Sequence, residues 1–257
     1  MTILIKKVIC FIIFLLIFST FLKANELVKF NFSNQKYTIP LPKNYCDESN
    51  TETGFFFKDL IQGTLNKYSE KINAINTSKI GSIFTPCKCR LDDLDLNCPW
   101  GYFVMDKISS LESANKLYKN SVPDINIKDQ KSLNKFLNFF IDSKASEEVE
   151  EILEDSILEN YEKKSQEYEI DLDVSDISFS KQQTKVLWED KNAFITRTLS
   201  KHIVENEIGE EKIYKAVTYL DENYIVFEIY DERVNNFDEE MTILLNNHSK
   251  LIAKLFR

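Results

Sequence analysis

Four cysteines follow the first 24 residues, and their spacing is the most specific chemical pattern in the sequence. They are Cys46, Cys87, Cys89 and Cys98. An even number of cysteines in an oxidising compartment favours disulfide bonds over free thiols. A tetrahedral zinc site is the competing interpretation, but structural zinc sites usually contain C-x2-C pairs, which this spacing lacks. A redox-active pair would need a C-x-x-C-like spacing rather than C-x-C.

The pairing of these cysteines has three solutions, because four cysteines allow three connectivities. A bond between Cys87 and Cys89 would be strained in an extended chain, so the connectivity that contains it is the least favoured. Of the other two we favour Cys46–Cys87 with Cys89–Cys98, in which the second bond closes a small loop over residues 90–97. Each bond should stabilise the fold by about 2–4 kcal/mol, mainly by restricting the unfolded chain.

The other residues whose side chains could take part in catalysis or metal binding do not form a recognisable catalytic set. Asp93, Asp95 and Asn97 match the first ligand positions of a calcium loop, but its glycine and closing glutamate are missing. His248 is expected in the core, held by one hydrogen bond, and His202 is expected on the solvent side of a strand. The sequence therefore predicts no catalytic, cofactor-binding or metal-binding residue, and no cofactor.

Composition excludes several classes of protein. The chain has 32 basic and 41 acidic residues, a net charge of −9, whereas a nucleic-acid binder needs clustered lysine and arginine. Five glycines argue against a glycine-rich phosphate loop, and a hydrophobic share of 43% argues against disorder. The segment 144–176 holds 13 acidic and three basic residues, so most of the negative charge is local.

The first 24 residues have the pattern of a secretory signal peptide. Lys6 and Lys7 precede an apolar run over 8–22, which is shorter than the roughly 20 residues of a spanning helix. Cleavage is predicted after Ala24, which would leave residues 25–257 as a single exported domain, periplasmic or secreted. The alternative is an uncleaved leader, which would then be the protein's contact with the membrane.

The rest of the chain alternates between strand and helix periodicities. Strands are predicted at 27–32, 37–41, 79–85, 102–108, 175–181, 184–189, 192–204, 211–220 and 224–230. Helices are predicted at about 56–75, 109–119, 130–141, 147–168 and 237–256. The predicted N-caps of the last three helices are Asp129, Ser146 and Asn236. Glu239 would complete a capping box with Asn236. This order indicates an α+β fold, in which an antiparallel sheet (N-terminal hairpin plus C-terminal meander) is packed by amphipathic helices.

Both ends of the chain resemble a group of small exported bacterial proteins of unknown function. The residues that carry the resemblance are the IPxPxxYC element of Phe30-x6-Tyr37-Thr-Ile-Pro-Leu-Pro-x-x-Tyr45-Cys46, the strand Ile80-Gly-Ser-Ile-Phe-Thr-Pro-Cys87, and the C-terminal hairpin and helix (211–230 and 237–256). The resemblance covers about half of the chain and implies no activity. It implies that Cys46 and Cys87 belong together. The order of elements also resembles PsbP/Mog1-like sandwiches, and relative to that plan the helical pair 128–168 is an insertion.

The function expected from these observations is non-enzymatic. We expect an exported protein that binds a partner or supports the envelope, with the acidic helix 147–168 as the candidate surface for a protein partner. One alternative is a periplasmic hydrolase that uses carboxylates or a metal, its site lined by Asp92, Asp93 and Asp95 or by the acidic helix. Another is a carrier of a small apolar ligand, bound on the sheet face around Phe194, Tyr214 and Phe227.

Overall fold

The computed structural model describes most of the chain after residue 24. The described residues are 25–71, 77–89, 91, 98–117, 125–167, 178–179, 183–204, 207–233 and 236–256. The signal peptide predicted at 1–24 and the calcium-like loop at 92–97 lie outside them.

The described elements are ten strands and five helices. The strands are β1 (Leu27–Phe32), β2 (Gln35–Pro40), β3 (Tyr45–Asp47), β4 (Lys79–Pro86), β5 (Trp100–Lys107), β6 (Ser178–Phe179), β7 (Gln183–Glu189), β8 (Phe194–Val204), β9 (Glu207–Leu220) and β10 (Asn223–Asp231). The helices are α1 (Glu52–Lys71), α2 (Ile108–Leu117), α3 (Gln130–Asp142), α4 (Lys144–Glu167) and α5 (Asp238–Leu255). All strand pairs are antiparallel and the helices pack on the sheet, so the fold is α+β, as predicted.

The strands form two sheets rather than one. The main sheet has the order β3-β4-β5-β10-β9-β8-β6, and β7 also pairs with β8. The predicted N-terminal hairpin forms, but β1 and β2 pair only with each other, in a sheet of their own. The last strand, β10, lies between β5 and β9, so it joins the N-terminal strands to the C-terminal meander.

Helices and the hairpin cover the two faces of the main sheet. On the first face, the β1–β2 hairpin and α5 bury a large core that includes Phe103, Tyr214 and Phe227. On the second face, α3 packs over Phe194 and Val217, and α1 packs over Ile80 and Ile83. We call this second side the α1/α3 face. The residues that point to this face follow from strand alternation, because side chains at i and i+2 lie on the same side of a strand.

Most predicted helices are confirmed, but two of the three predicted N-caps are wrong. Asp129 caps α3, since its side chain accepts from the Ser132 backbone N–H at 2.7 Å in a capping box. Helix α4 already begins at Lys144, so Ser146 lies inside its first turn instead of capping it. Helix α5 has Phe237 at the N-cap with no side-chain cap bond, while the Asn236 side chain accepts only from the Asp238 backbone N–H. Serine and asparagine are residue types that suit capping, but α4 begins two residues before Ser146 and the N-cap of α5 is one residue after Asn236.

Helix α4 packs antiparallel on α1, and the contact is largely polar. The amide of Asn160, only 3% exposed, donates to the Leu60 carbonyl at 2.7 Å, opposite Gly63. Lys67 and Lys71 of α1 bind Glu159 at 3.0 and 2.8 Å. The acidic helix therefore uses part of its charge inside the molecule.

Candidate functional site

The cysteines lie where the sequence analysis favoured them. Cys46 on β3 is bonded to Cys87, which follows the neighbouring strand β4, and Cys89 is bonded to Cys98. All four predicted disulfide residues are therefore in bonds. Disulfide pairs of this kind fit an oxidising compartment. No helix among the described residues is long and apolar enough to cross a bilayer.

The histidines are separated in the fold. His248 lies on α5, is 3% exposed, and its Nε2 donates to the Pro40 carbonyl at 2.8 Å, which confirms the predicted core role. Its pKa is lowered to about 4, chiefly by burial, against the smaller opposing effect of the Pro40 carbonyl. His202 lies in β8, but its side chain is outside the described part of the chain.

The residues proposed for an apolar carrier do not share one surface. Tyr214 and Phe227 are buried beneath α5 and the hairpin, whereas Phe194 is buried on the α1/α3 face. All three are at most 1% exposed. A sheet face around these three side chains is therefore not available to a ligand, which corrects the expected location of such a site.

The acids of α4 divide between an internal and an external role. Glu159 is held by Lys67 and Lys71, and hydrogen bonds from these two ammonium groups lower its pKa. Lys164 binds Asp59 of α1 at 2.5 Å and Glu167 at 2.6 Å. The Asp155 side chain remains 68% exposed although Lys71 lies 3.7 Å from it. The solvent side of α4 is thus still acidic.

A buried carboxylate with several hydrogen-bond donors lies in the middle of the main sheet. Glu228 lies on β10, is 9% exposed, and points to the α1/α3 face. Its carboxylate accepts from the Tyr102 hydroxyl at 2.7 Å and from the Tyr230 hydroxyl at 3.1 Å. Lys215 binds the other oxygen at 2.8 Å. A buried carboxylate needs such donors, because desolvation without them would make it neutral.

Three neighbouring strands position this group through their register. Glu228 lies opposite Tyr102 of β5 on one side and opposite Lys215 of β9 on the other. Tyr230 lies two residues further along the same face. We call Tyr102, Glu211, Lys215, Glu228 and Tyr230 the Glu228 cluster.

Aromatic rings form one side of the cluster. Trp100 stacks on Tyr230 with ring centroids 4.5 Å apart and on Phe57 of α1 at 4.9 Å. The Tyr102 and Tyr230 rings are 5.9 Å apart. Burial, followed by the charge of Glu228, raises the pKa of the Tyr102 hydroxyl well above its ordinary value. Both tyrosines therefore remain neutral hydrogen-bond donors at physiological pH.

Glu211 adds a second carboxyl group to the cluster. It lies on β9, four residues before Lys215 and on the same face. Its pKa is raised to about 8, first by burial and then by the negative charges of Glu232 and Glu228. All three influences favour the neutral acid, so with a pKa of about 8 Glu211 is mostly protonated at pH 7.

A contrast with Asp106 shows why the Glu228 cluster stands out. Asp106 is also buried on the α1/α3 face, but its two oxygens accept from Thr77, from Ser78 at 2.6 Å and from Tyr224 at 3.3 Å. That group joins the segment before β4 to β5 and β10 and is satisfied by the fold itself. The Glu228 cluster instead contains exposed surface, since the Lys215 side chain is 42% exposed and Glu211, Tyr102 and Tyr230 are partly exposed.

The arrangement can recognise a cation or move a proton. The Glu228 carboxylate can accept hydrogen bonds from a positively charged group. Glu211, four residues along β9 from Lys215, can release its proton when such a group approaches it. Among the described residues, no group of three His, Cys, Asp or Glu side chains could hold a metal ion.

Sequence reasoning missed the Glu228 cluster. Its one local signal is Glu228 itself, a single acid inside the apolar strand Tyr-Ile-Val-Phe-Glu-Ile-Tyr (224–230). A charged residue in a central strand implies partners on the neighbouring strands. The partners could not be named, because Tyr102 lies 126 residues before Glu228. No family model, curated protein or solved structure matches this chain.

Proposed function

We propose that this chain is an exported, non-enzymatic protein that binds a basic partner protein at the Glu228 cluster. The observation that carries the proposal is the Glu228 carboxylate, held by the Tyr102 and Tyr230 hydroxyls on a partly exposed part of the sheet, with Glu211 further along the same face of β9. A lysine or arginine side chain needs carboxylates for its charged head and apolar surface for its methylene stem.

Charge supports a basic partner rather than an acidic one. The negative charges of Glu232 and Glu228 raise the pKa of Glu211, and Lys215 binds Glu228 within the cluster. An incoming ammonium or guanidinium group would lower the pKa of Glu211 and restore its charge. The binding energy would therefore come partly from relief of the repulsion that now keeps Glu211 neutral.

The acidic helix α4 also favours a basic partner, and we include it in the proposed binding surface. Helix α1 borders the cluster through Phe57, which stacks on Trp100, and α4 packs on the same helix. On α4 the Asp155 and Glu162 side chains are exposed, whereas Glu159 is already bound by Lys67 and Lys71 of α1. A basic protein bound at the cluster could therefore also contact α4, and association should weaken as salt screens the charges.

Export is the cellular context of the proposal. The leader pattern of residues 1–24 and the disulfides Cys46–Cys87 and Cys89–Cys98 support it, since such bonds persist in oxidising compartments.

A lysine peptide tests the binding proposal directly. N-acetylated, C-amidated trilysine is titrated into the protein by calorimetry at pH 8 and low ionic strength. Glu211→Gln should weaken binding by about tenfold, because it removes a charge that can form on binding. Glu210→Gln is the matched control, since Glu210 is exposed and points to the opposite side of β9. Absence of binding, or equal affinity in both variants, would contradict the proposal.

A further inference from the structure

Lys215 occupies one of the two oxygens of the Glu228 carboxylate. Oε2 accepts from the Tyr102 hydroxyl at 2.7 Å and from the Tyr230 hydroxyl at 3.1 Å, which uses both of its lone pairs. Oε1 lies 2.8 Å from the Lys215 ammonium group. A second cation at Oε1 would lie beside this ammonium group, and like charges so close together repel each other. A cation that binds Glu228 closely must therefore replace Lys215.

The tyrosine donors are held in place by aromatic packing. Tyr102 lies directly opposite Glu228 in the pairing of β5 with β10, and its ring stacks on Tyr230 at 5.9 Å. Tyr230 stacks in turn on Trp100 at a centroid distance of 4.5 Å, and Trp100 stacks on Phe57 of α1 at 4.9 Å. Moving either hydroxyl away would separate rings that join β5, β10 and α1. The two tyrosines are therefore fixed parts of the site.

Lys215 is the movable donor of the cluster. Its side chain is 42% exposed, whereas that of Glu228 is 12% exposed. It lies opposite Glu228 of β10 on one side and opposite Thr196 of β8 on the other. A lysine ammonium is a strongly hydrated point charge at the end of a flexible four-carbon stem. Rotation of this stem would move the ammonium group into water without a change in the backbone.

We propose that Lys215 is an internal competitor of the basic partner, an inference that rests on the function proposed above. In the free protein its ammonium group occupies Glu228, and a lysine or arginine of the partner displaces it into solvent. Exchange of one cation for another changes the contacts of Glu228 little. The affinity must therefore come from further cations of the same partner, which reach Glu211 and α4. The site thus selects an extended basic segment over a single cation.

Removal of the competitor tests this inference. Lys215→Met keeps an apolar stem but has no ammonium group, so acetylated, amidated trilysine should bind this variant about fivefold more tightly than the wild-type protein at pH 8. Lys185→Met is the matched control. Lys185 is exposed and lies opposite Arg197, next to Thr196 in β8, so it points to the other face of the sheet. It should change the affinity by less than about twofold at an ionic strength of about 0.1 M, where distant charges are largely screened.

Displacement itself is measured in the wild-type protein, so this readout does not depend on the folding of a variant. The ligand is N-acetylated, C-amidated triarginine, because it has no amine that reacts with an acetylating reagent. A limiting amount of the N-hydroxysuccinimide ester of acetic acid is added with and without saturating triarginine, and mass spectrometry locates the acetyl groups. Acetylation of Lys215 should increase relative to that of Lys185, because an amine released from Glu228 is more accessible to the reagent.

Tighter binding to Lys215→Met than to the wild-type protein and Lys185→Met, together with increased acetylation of Lys215, supports the inference. Equal affinities of the wild-type protein and Lys215→Met overturn it, as does acetylation of Lys215 that triarginine leaves unchanged or reduces. In that case trilysine binding that still depends on Glu211 leaves the basic-partner function standing. Absence of peptide binding in all three proteins overturns that function itself, so the two failures are distinguishable.

Discussion

At the scale of single residues, His248 shows how the fold fixes a protonation state. Its Nε2 donates to the Pro40 carbonyl, so the neutral ring carries its proton there. Nδ1 is buried and has no hydrogen-bond partner in the described part of the chain. Protonation of Nδ1 would create a buried charge and an unsatisfied donor, which explains why its pKa is lowered to about 4.

This environment of His248 makes the free energy of unfolding depend on pH. In the unfolded chain His248 becomes protonated below its ordinary pKa of 6.5, whereas in the folded protein it stays neutral down to about 4. Stability should therefore be fully present above pH 6.5 and fall between pH 6.5 and 4, by about 3 kcal/mol in total. Denaturant unfolding of the wild-type protein and of His248→Gln, which can still donate to Pro40, measures the effect. Parallel pH profiles for the two proteins would rule it out.

At the scale of elements, the contact between α1 and α4 depends on a glycine. A Cβ at Gly63 would lie 2.6 Å from the Asn160 Oδ1 atom. Asn160 cannot easily move away, because it is buried and donates a hydrogen bond to the Leu60 carbonyl. In an unpacked helix, glycine to alanine would stabilise by roughly 0.5–1 kcal/mol. Here the Asn160 side chain would have to shift, so overpacking decides whether Gly63→Ala raises or lowers the free energy of unfolding.

We predict that Gly63→Ala destabilises the protein by about 1–2 kcal/mol, because overpacking outweighs the gain in helix propensity. Thermal or denaturant unfolding measures this change. In an Asn160→Ala background the same substitution should become neutral or stabilising, since the colliding amide is gone. A stabilising effect of Gly63→Ala in the wild-type protein would show that α4 does not pack there.

The two disulfide bonds should differ in their contributions to stability. Cys46–Cys87 spans 41 residues and Cys89–Cys98 spans nine. Because closure of a longer loop removes more unfolded-state entropy, removing the first bond should cost about 4 kcal/mol and the second about 3 kcal/mol. Paired Cys→Ser variants and denaturant unfolding measure the two losses. A larger loss from the Cys89–Cys98 variant would contradict this order.

Elements were the most predictable level of the structure. The alternation of β1 and β10 and the helical stripes of α3 and α5 are periodic over enough residues to be recognised from the sequence. The ends of helices were less predictable, as Ser146 and Asn236 show. A helix end depends on the neighbouring elements as well as on the local residue, and those contacts are invisible in a single sequence.

At the scale of the whole molecule, the sequence did not predict which strands become neighbours. The order β5-β10-β9 brings Tyr102 beside Glu228, although they are far apart in the chain. The hairpin β1–β2 was predicted as a unit, but its packing on the sheet, rather than within it, depends on tertiary contacts. The candidate site could not be predicted for the same reason, because it exists only once three strands pair.

The number of acidic residues in each segment could be read from the sequence, but the partners of those residues in the fold could not. The sequence places the acidic residues in the segment 144–176, whereas the structure shows that α1 lysines engage part of that charge. Glu211, whose pKa is raised by burial and by the charges of Glu232 and Glu228, lies in the C-terminal meander instead. The proposed basic partner therefore meets two acidic surfaces on the same side of the sheet.

Proton release on binding tests the central claim most directly. With a pKa of about 8, Glu211 is mostly protonated at pH 7, and a bound cation should displace that proton. Calorimetric titration with acetylated, amidated trilysine in buffers of different ionisation enthalpy counts the protons released. We predict release of about one proton per bound peptide at pH 7 in the wild-type protein, and none in Glu211→Gln. Binding without proton release, or equal release in both proteins, would contradict the account.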